Sequence, residues 1–336
     1  MNIYISGIGN ISAGSPFDND FQNSKAINDA RILRSVEPQY KDYIDPKISR
    51  RLSRIIKMGL ASAKMALNDA SVDIPDGIIT GTAIGCIEDT EKFLNSVIEG
   101  HEELPSPSAF ISSTHNSISS QIAIALKCHG YNSTFSSRGF SFESALMDAM
   151  MQIDEKPGLK FLAGSVDELT DKLADILENF EITFNLNLNK NKFPYGEGAA
   201  FFLLSGEKKN MRYGKISSVK MIYNNSDENI LDVIENYYND NKTFKDKTDL
   251  VLFGGEIDEV IPVSNIFADC GVILFKKYCG EYFTSTSYAL YFACMLLKNG
   301  LKNISFDAGN STNVSKIVLI NKFNNKYYSF VTVEND

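Results

Sequence analysis

The chain has little of what would send a protein to a membrane, a nucleic acid or an oxidising compartment. No apolar stretch reaches membrane-spanning length, and no early run joins a basic end, an apolar core and a small-residue cleavage site. A cytoplasmic protein without a membrane span is expected. Basic residues are outnumbered, 33 Lys+Arg against 42 Asp+Glu for a net charge of -9, and no basic cluster overrides that balance. A nucleic-acid partner is therefore not expected. The cysteines, Cys86, Cys128, Cys270, Cys279 and Cys294, are odd in number and lack paired short spacings. That argues against a disulfide framework or a zinc knuckle and leaves buried thiols, with no metal and no cofactor expected. Near the start, Ile3, Ile5 and Ile8 run into Ser6-Gly7-Ile8-Gly9, but the third glycine and following helix of a dinucleotide fingerprint are missing.

What is present is patterned α/β sequence. At 336 residues the chain can bury a large core, as one layered unit or two similar halves. Residues 131–150 organise it: a β-branched and polar run enters Ser136-Ser137-Arg138-Gly139, and Phe142, Ala145, Leu146 and Ala149 then recur at helical spacing. A helix start of that kind presents free amides that lower a thiol pKa or hold an oxyanion, so this turn suits a nucleophile. A polar-rimmed turn is expected in front of the helix. An amphipathic helix is predicted from Arg50 onward through Ile55, Met58, Ala61, Met65 and Ala66, and a strand over 77–85. The two prolines after Leu104 mark a loop that leaves as a helix by Ala123. Further strands are read at 159–168, 220–223 and 250–253, with a helix over 230–238 and another ending at Asn299-Gly300. Residues 193–204 read as a buried hairpin edge whose Glu197 satisfies turn amides, and 317–333 as a hairpin across Asn324-Asn325-Lys326.

Histidine is scarce, and of His101, His115 and His129 only His115 stands clear of surface-like sequence. As a general base it would need Ser137 or Ser141 as nucleophile within reach. Its other reading is a structural or interface histidine.

The order of these motifs resembles the β-ketoacyl synthases of the thiolase superfamily, across nearly the whole chain and most closely up to Leu204. Gly130, Thr134, Ser136, Ser137 and Ala145 fall in register with that family's nucleophile turn. Gly196, Glu197, Gly198, Ala199 and Ala200 match its Gly-Glu-Gly-Ala motif, and Lys276 and Gly280 its Lys-x-x-x-Gly-His segment. Pro107, Asn116 and Ala123 fit the outline of its interface loop, and Asn321 and Phe323 persist from its gate. The resemblance implies a thiolase-like fold, two similar halves in α-β-α-β-α layers, divided as 1–205 and a shortened 206–336 within one compact unit. It also places Gly139, Gly254 and Glu281 where the family carries its active cysteine and two histidines.

The resemblance therefore implies a vestigial site formed by Gly139, Lys276, Gly280, Glu281 and Phe323, without a nucleophile. It points to a noncatalytic synthase-like partner, such as a chain-length factor, in bacterial fatty-acid, aryl-polyene or polyketide-type synthesis. The alternatives are an acyltransferase or 3-oxoacyl-[acyl-carrier-protein] synthase-like enzyme using non-standard residues, and a structural or regulatory pseudoenzyme. The implied partners are a second copy, an active ketoacyl synthase joined through residues 132–135, and an acyl carrier protein.

Overall fold

The computed structural model describes residues 2–14, 30–100, 106–183, 193–224, 229–240, 248–267, 270–302 and 304–335. Its strands are β1 (Ile3–Ile11), β2 (Ile32–Leu33), β3 (Gly77–Gly81), β4 (Tyr131–Phe135), β5 (Lys160–Asp167), β6 (Tyr195–Gly196), β7 (Gly198–Ser205), β8 (Lys215–Tyr223), β9 (Leu250–Gly254), β10 (Gly271–Leu274), β11 (Lys316–Phe323) and β12 (Tyr327–Glu334). Ten of them form one mixed sheet in the order β10-β9-β11-β12-β8-β1-β7-β5-β3-β4, and β2 pairs β6 separately.

The large sheet repeats its own pattern. In the first half β3 lies parallel to β4 and β5, β5 antiparallel to β7, and β7 antiparallel to β1. In the second, β9 lies parallel to β10 and β11, β11 antiparallel to β12, and β12 antiparallel to β8. The halves join through Ile3↔Ile216 and Tyr4↔Lys215.

Successive strand residues point to opposite faces, which sorts the apolar side chains into three cores. Ile79, Phe202 and Leu204 of the first half, with Leu250, Leu252 and Leu319 of the second, face a central core. That core is filled by α5 (Ser141–Glu155) and α9 (Thr286–Asn299). Their neighbours Ile78, Phe201 and Leu203 face outward to α1 (Arg54–Ala70) and α4 (Ser117–Leu126). Val251, Phe253 and Ile320 face α7 (Ile230–Asp240) and α8 (Val260–Ile266). The result is the expected α-β-α-β-α layering in two similar halves. The remaining longer helices are α2 (Ile87–Glu99), α3 (Pro107–Ser113) and α6 (Asp171–Thr183).

Several boundaries differ from the sequence expectation for identifiable reasons. The first long helix starts at Arg54, because Asp45 and Pro46 begin a separate helical turn that ends at Ser49. β3 stops at Gly81, since Thr82, Ala83 and Ile84 bend to bind the Asp167 carboxylate. The proline-rich stretch is already helical at Pro107, with the Ser106 hydroxyl capping Ala109. β7 is no hairpin edge: it is buried between β1 and β5. His101 and Leu104 lie outside the described residues. All five cysteines are buried and unbridged.

Candidate functional site

Gly139 lies in a 3-10 turn, Arg138–Phe140, at the entry to α5. Ser141 sets the turn: its hydroxyl donates to the Arg138 carbonyl at 2.8 Å and accepts from the Ser137 amide at 2.9 Å, while Arg138 is left-handed at φ 53°. The expected polar rim is not what covers it. A Cβ at Gly139 would lie 2.9 Å from Cβ and Cγ of Tyr327 and 3.2 Å from Cβ of Phe323. Tyr327 in turn packs edge-on against Phe140 at 4.9 Å and Tyr223 at 5.2 Å between ring centroids. Phe323 packs on Phe283 at 4.3 Å. The turn is closed by aromatic side chains because the β11–β12 hairpin brings Phe323 opposite Tyr327 directly above it.

The other positions converge on the same strand. Gly254 ends β9 beside Asn321, and a Cβ there would fall 2.5 Å from Asn321 Oδ1 and 2.6 Å from the Phe275 ring. Lys276, buried to 1% exposure, donates from Nζ to Glu281 Oε2 at 2.7 Å and to the Lys322 carbonyl at 2.8 Å. Asn321, Lys322 and Phe323 are consecutive, so β11 touches each place where the resemblance sets a catalytic group: Asn321 covers Gly254, Lys322 anchors the Lys276–Glu281 pair and Phe323 lies on Gly139. Lys322 itself is buried and reaches Glu256 at 3.0 Å and Glu259 at 2.5 Å.

The two glycine motifs meet backbone to backbone. The Gly196 amide donates to the Glu281 carbonyl at 2.9 Å, and a Cβ on Gly196 would fall 2.1 Å from the Cys279 carbonyl oxygen. Gly280, at φ 77°, supplies the matching turn. Gly198 is held as tightly, with room for a Cβ taken by Tyr282 Oη at 2.9 Å.

Glu197 between them is fully buried and does satisfy amides, those of Ser35 and Leu169 at 3.0 Å each. It also takes a two-point contact from the Arg54 guanidinium. Burial is the largest single influence and pushes its carboxyl up, but Arg54 together with the Leu169 and Ser35 amides holds it below the usual range.

Next to this hub, Asp167 accepts from Thr82 and Ala83 of the first half and from Thr284 of the second, each at 2.9 Å. Burial pushes Asp167 up to about 6 and Glu168 up to about 7 against the hydrogen bonds that oppose it.

Among the described residues no hydrogen bond joins either serine alternative to His115. Ser141 is buried and spends its hydroxyl inside the turn, Ser137 is exposed, and His115 is an exposed turn residue whose ring lies over Gly85. Burial pushes the Cys86 and Cys270 thiols up to about 12, which leaves them protonated. Among the described residues no group of His, Cys, Asp and Glu could hold a metal ion, and no helix is long and apolar enough to cross a membrane. Arg54 and Lys322 were not legible as site residues, because nothing in their spacing shows which carboxylate they meet.

The β-ketoacyl synthase N-terminal domain model matches residues 26–243, nearly two thirds of the chain. The chain belongs to the β-ketoacyl synthase family. No curated protein matches it. Among solved structures, this ketoacyl synthase relative is similar to the ishigamide ketosynthase/chain length factor, with a TM-score of 0.75, 14% identity, and 100% of this chain and 99% of that one covered. The AntDE:AntF complex, a type II polyketide synthase acyl-carrier protein with its ketosynthase bound to the hexaketide, matches at 0.71 and 18% identity with the same coverage. A β-ketoacyl synthase from Burkholderia phymatum matches at 0.71 and 14%, again over 100% and 99%. At these identities the likeness establishes the fold.

Proposed function

We propose that this ketoacyl synthase relative is a noncatalytic partner of the chain-length-factor kind, acting beside an active synthase. The observation that carries the reading is the packing at Gly139: the space a nucleophilic side chain would need is filled by Tyr327 and Phe323. Asn321 against Gly254 and the Lys276–Glu281 pair support it, since neither offers an imidazole donor to a thioester enolate. Residues 1–205 and 206–336 serve as the two halves of one unit, and Gly139, Lys276, Gly280, Glu281 and Phe323 as a vestigial site.

The partner surface is the free edge of the sheet. Among the described residues β4 pairs only β3, and Tyr131, Ile124, Phe110, Ile111, Leu94 and Ile98 on β4, α4, α3 and α2 are exposed large apolar residues. Exposed edges and apolar faces of this size are normally covered, here by a second copy or a synthase subunit. An acyl carrier protein, acidic in this reading, would find Lys47, Arg50 and Arg51 exposed at one end of α1, a local basic patch on an acidic chain.

The test is acyl loading followed by mass measurement. The purified chain, alone and with a synthase encoded beside it, is offered malonyl and acyl carrier protein; no covalent acyl adduct on this chain is expected, with adduct confined to the synthase. An adduct abolished by Ser137→Ala or Ser141→Ala would favour the acyltransferase alternative. A chain that joins no synthase would favour a separate structural or regulatory role.

A further inference from the structure

Glu143 lies one helical turn beyond Gly139 on α5, fully buried, and both its side-chain oxygens are without a hydrogen bond. Nothing in the proposed partnership uses it. The groups acting on it are its own amide and the hydroxyls of Ser329 on β12 and Thr286 at the start of α9, none of them charged. Both hydroxyls are near enough to favour the ionised form somewhat, yet neither is in hydrogen-bonding geometry.

Asn321 completes the group. It stands opposite Ser329 in the β11–β12 register, its Nδ2 donates to Thr286 Oγ1 at 2.8 Å, and its Oδ1 is buried without a partner.

The cluster thus has orphaned acceptors on both sides of the joint between the halves, with no charged donor among its neighbours and no hydroxyl in hydrogen-bonding geometry to them. An ionised Glu143 would add acceptors and bury a charge with no counter-charge, which is the costliest arrangement a core can hold. A protonated Glu143 supplies the missing donor. We propose that Glu143 is kept as a neutral carboxylic acid whose O–H serves Asn321 Oδ1, making a proton-dependent latch between α5 of the first half and β11 of the second. Burial is the dominant influence on the carboxyl and pushes it up, in agreement with the geometry. The latch does not depend on whether the chain is catalytic.

The sign of its pH dependence follows. The folded pKa stands above the ordinary value of 4.5, so the latch contributes fully below about 4.5 and its contribution is lost as pH rises through the folded pKa. In Glu143→Gln the amide keeps a donor and an acceptor without titrating. Denaturation of both proteins across pH should show the folding constant of Glu143→Gln rising relative to wild type, by up to about tenfold per pH unit above that point. A ratio that does not change with pH overturns the proposal.

Infrared spectroscopy at neutral pH gives an independent reading. Glu168 contributes an acid band to both proteins, so the reading is the wild-type minus Glu143→Gln difference: one protonated-acid carbonyl band is expected there, and a difference spectrum without it overturns the proposal. Should Glu143→Gln fail to fold, Asn321→Ala decides: removing the acceptor shifts the acid band to that of a free acid, whereas an unshifted band contradicts the bond to Asn321.

Discussion

Packing at single residues is where the proposal of a site without a reactive side chain is directly tested. Gly139→Cys must displace Tyr327, and overpacking of that kind costs about 1–3 kcal/mol. The variant is expected to be destabilised by that amount in urea denaturation and to show no condensation. Adding Tyr327→Ala should recover part of the loss, and purely additive effects would contradict the contact. At the buried hub, Glu197→Ala leaves Arg54 paired with Glu37 alone and the Ser35 and Leu169 amides without their acceptor, and should cost about 1–3 kcal/mol. Because the folded pKa of Glu197 is depressed, its contribution is present above the unfolded carboxylate value and fades as pH falls through the folded one. Glu168 behaves oppositely. Raised to about 7, its contribution falls between about 4.5 and 7, so Glu168→Gln should gain on the wild type as pH rises through that window.

Elements carry the proposed partner surface and much of what the sequence made legible. Strand ends marked by glycine or by acidic pairs were readable, as at Gly254, Asp167 and Gly196, because backbone turns demand particular residues whatever surrounds them. The layering was readable from the resemblance, and the alternating Leu250, Val251, Leu252 and Phe253 show why it works: two faces of one strand meet two different cores. The closing of the Gly139 turn was not readable. It depends on how far the β11–β12 hairpin reaches over α5, and the residues involved are 184 or more positions apart along the chain, Gly139 to Phe323. Glu143 was equally hidden, since an acid beside Phe142 at a helix start looks solvated until the second half packs on it. The hairpin turn itself is testable. Asn324 and Asn325 are both left-handed, at φ 54° and 51°, so Asn325→Gly should stabilise the chain by about 0.5–1 kcal/mol, measured by thermal unfolding. On α3, Phe110→Asp with Ile111→Asp should weaken self-association or synthase binding at least about tenfold in sedimentation, and thermal unfolding of the monomer reads separately the loss of the Phe110 contact with Phe93.

For the whole molecule, a doubled five-strand plan sets two halves around one central helical layer, and the places where the family resemblance sets catalytic groups all meet on one strand of the second half. Asn321, Lys322 and Phe323 fill, anchor and cover those places, and this packing is what supports the proposal of a partner subunit. The most direct measurement is the product of a reconstituted synthase, assayed with and without this chain and with its Phe110→Asp, Ile111→Asp variant. The account predicts condensation activity that survives Gly139→Ala wherever that variant folds, and a product length that changes when the chain is omitted or its partner face is broken. Turnover by the isolated chain, or the same rate and product length in its absence, would contradict it.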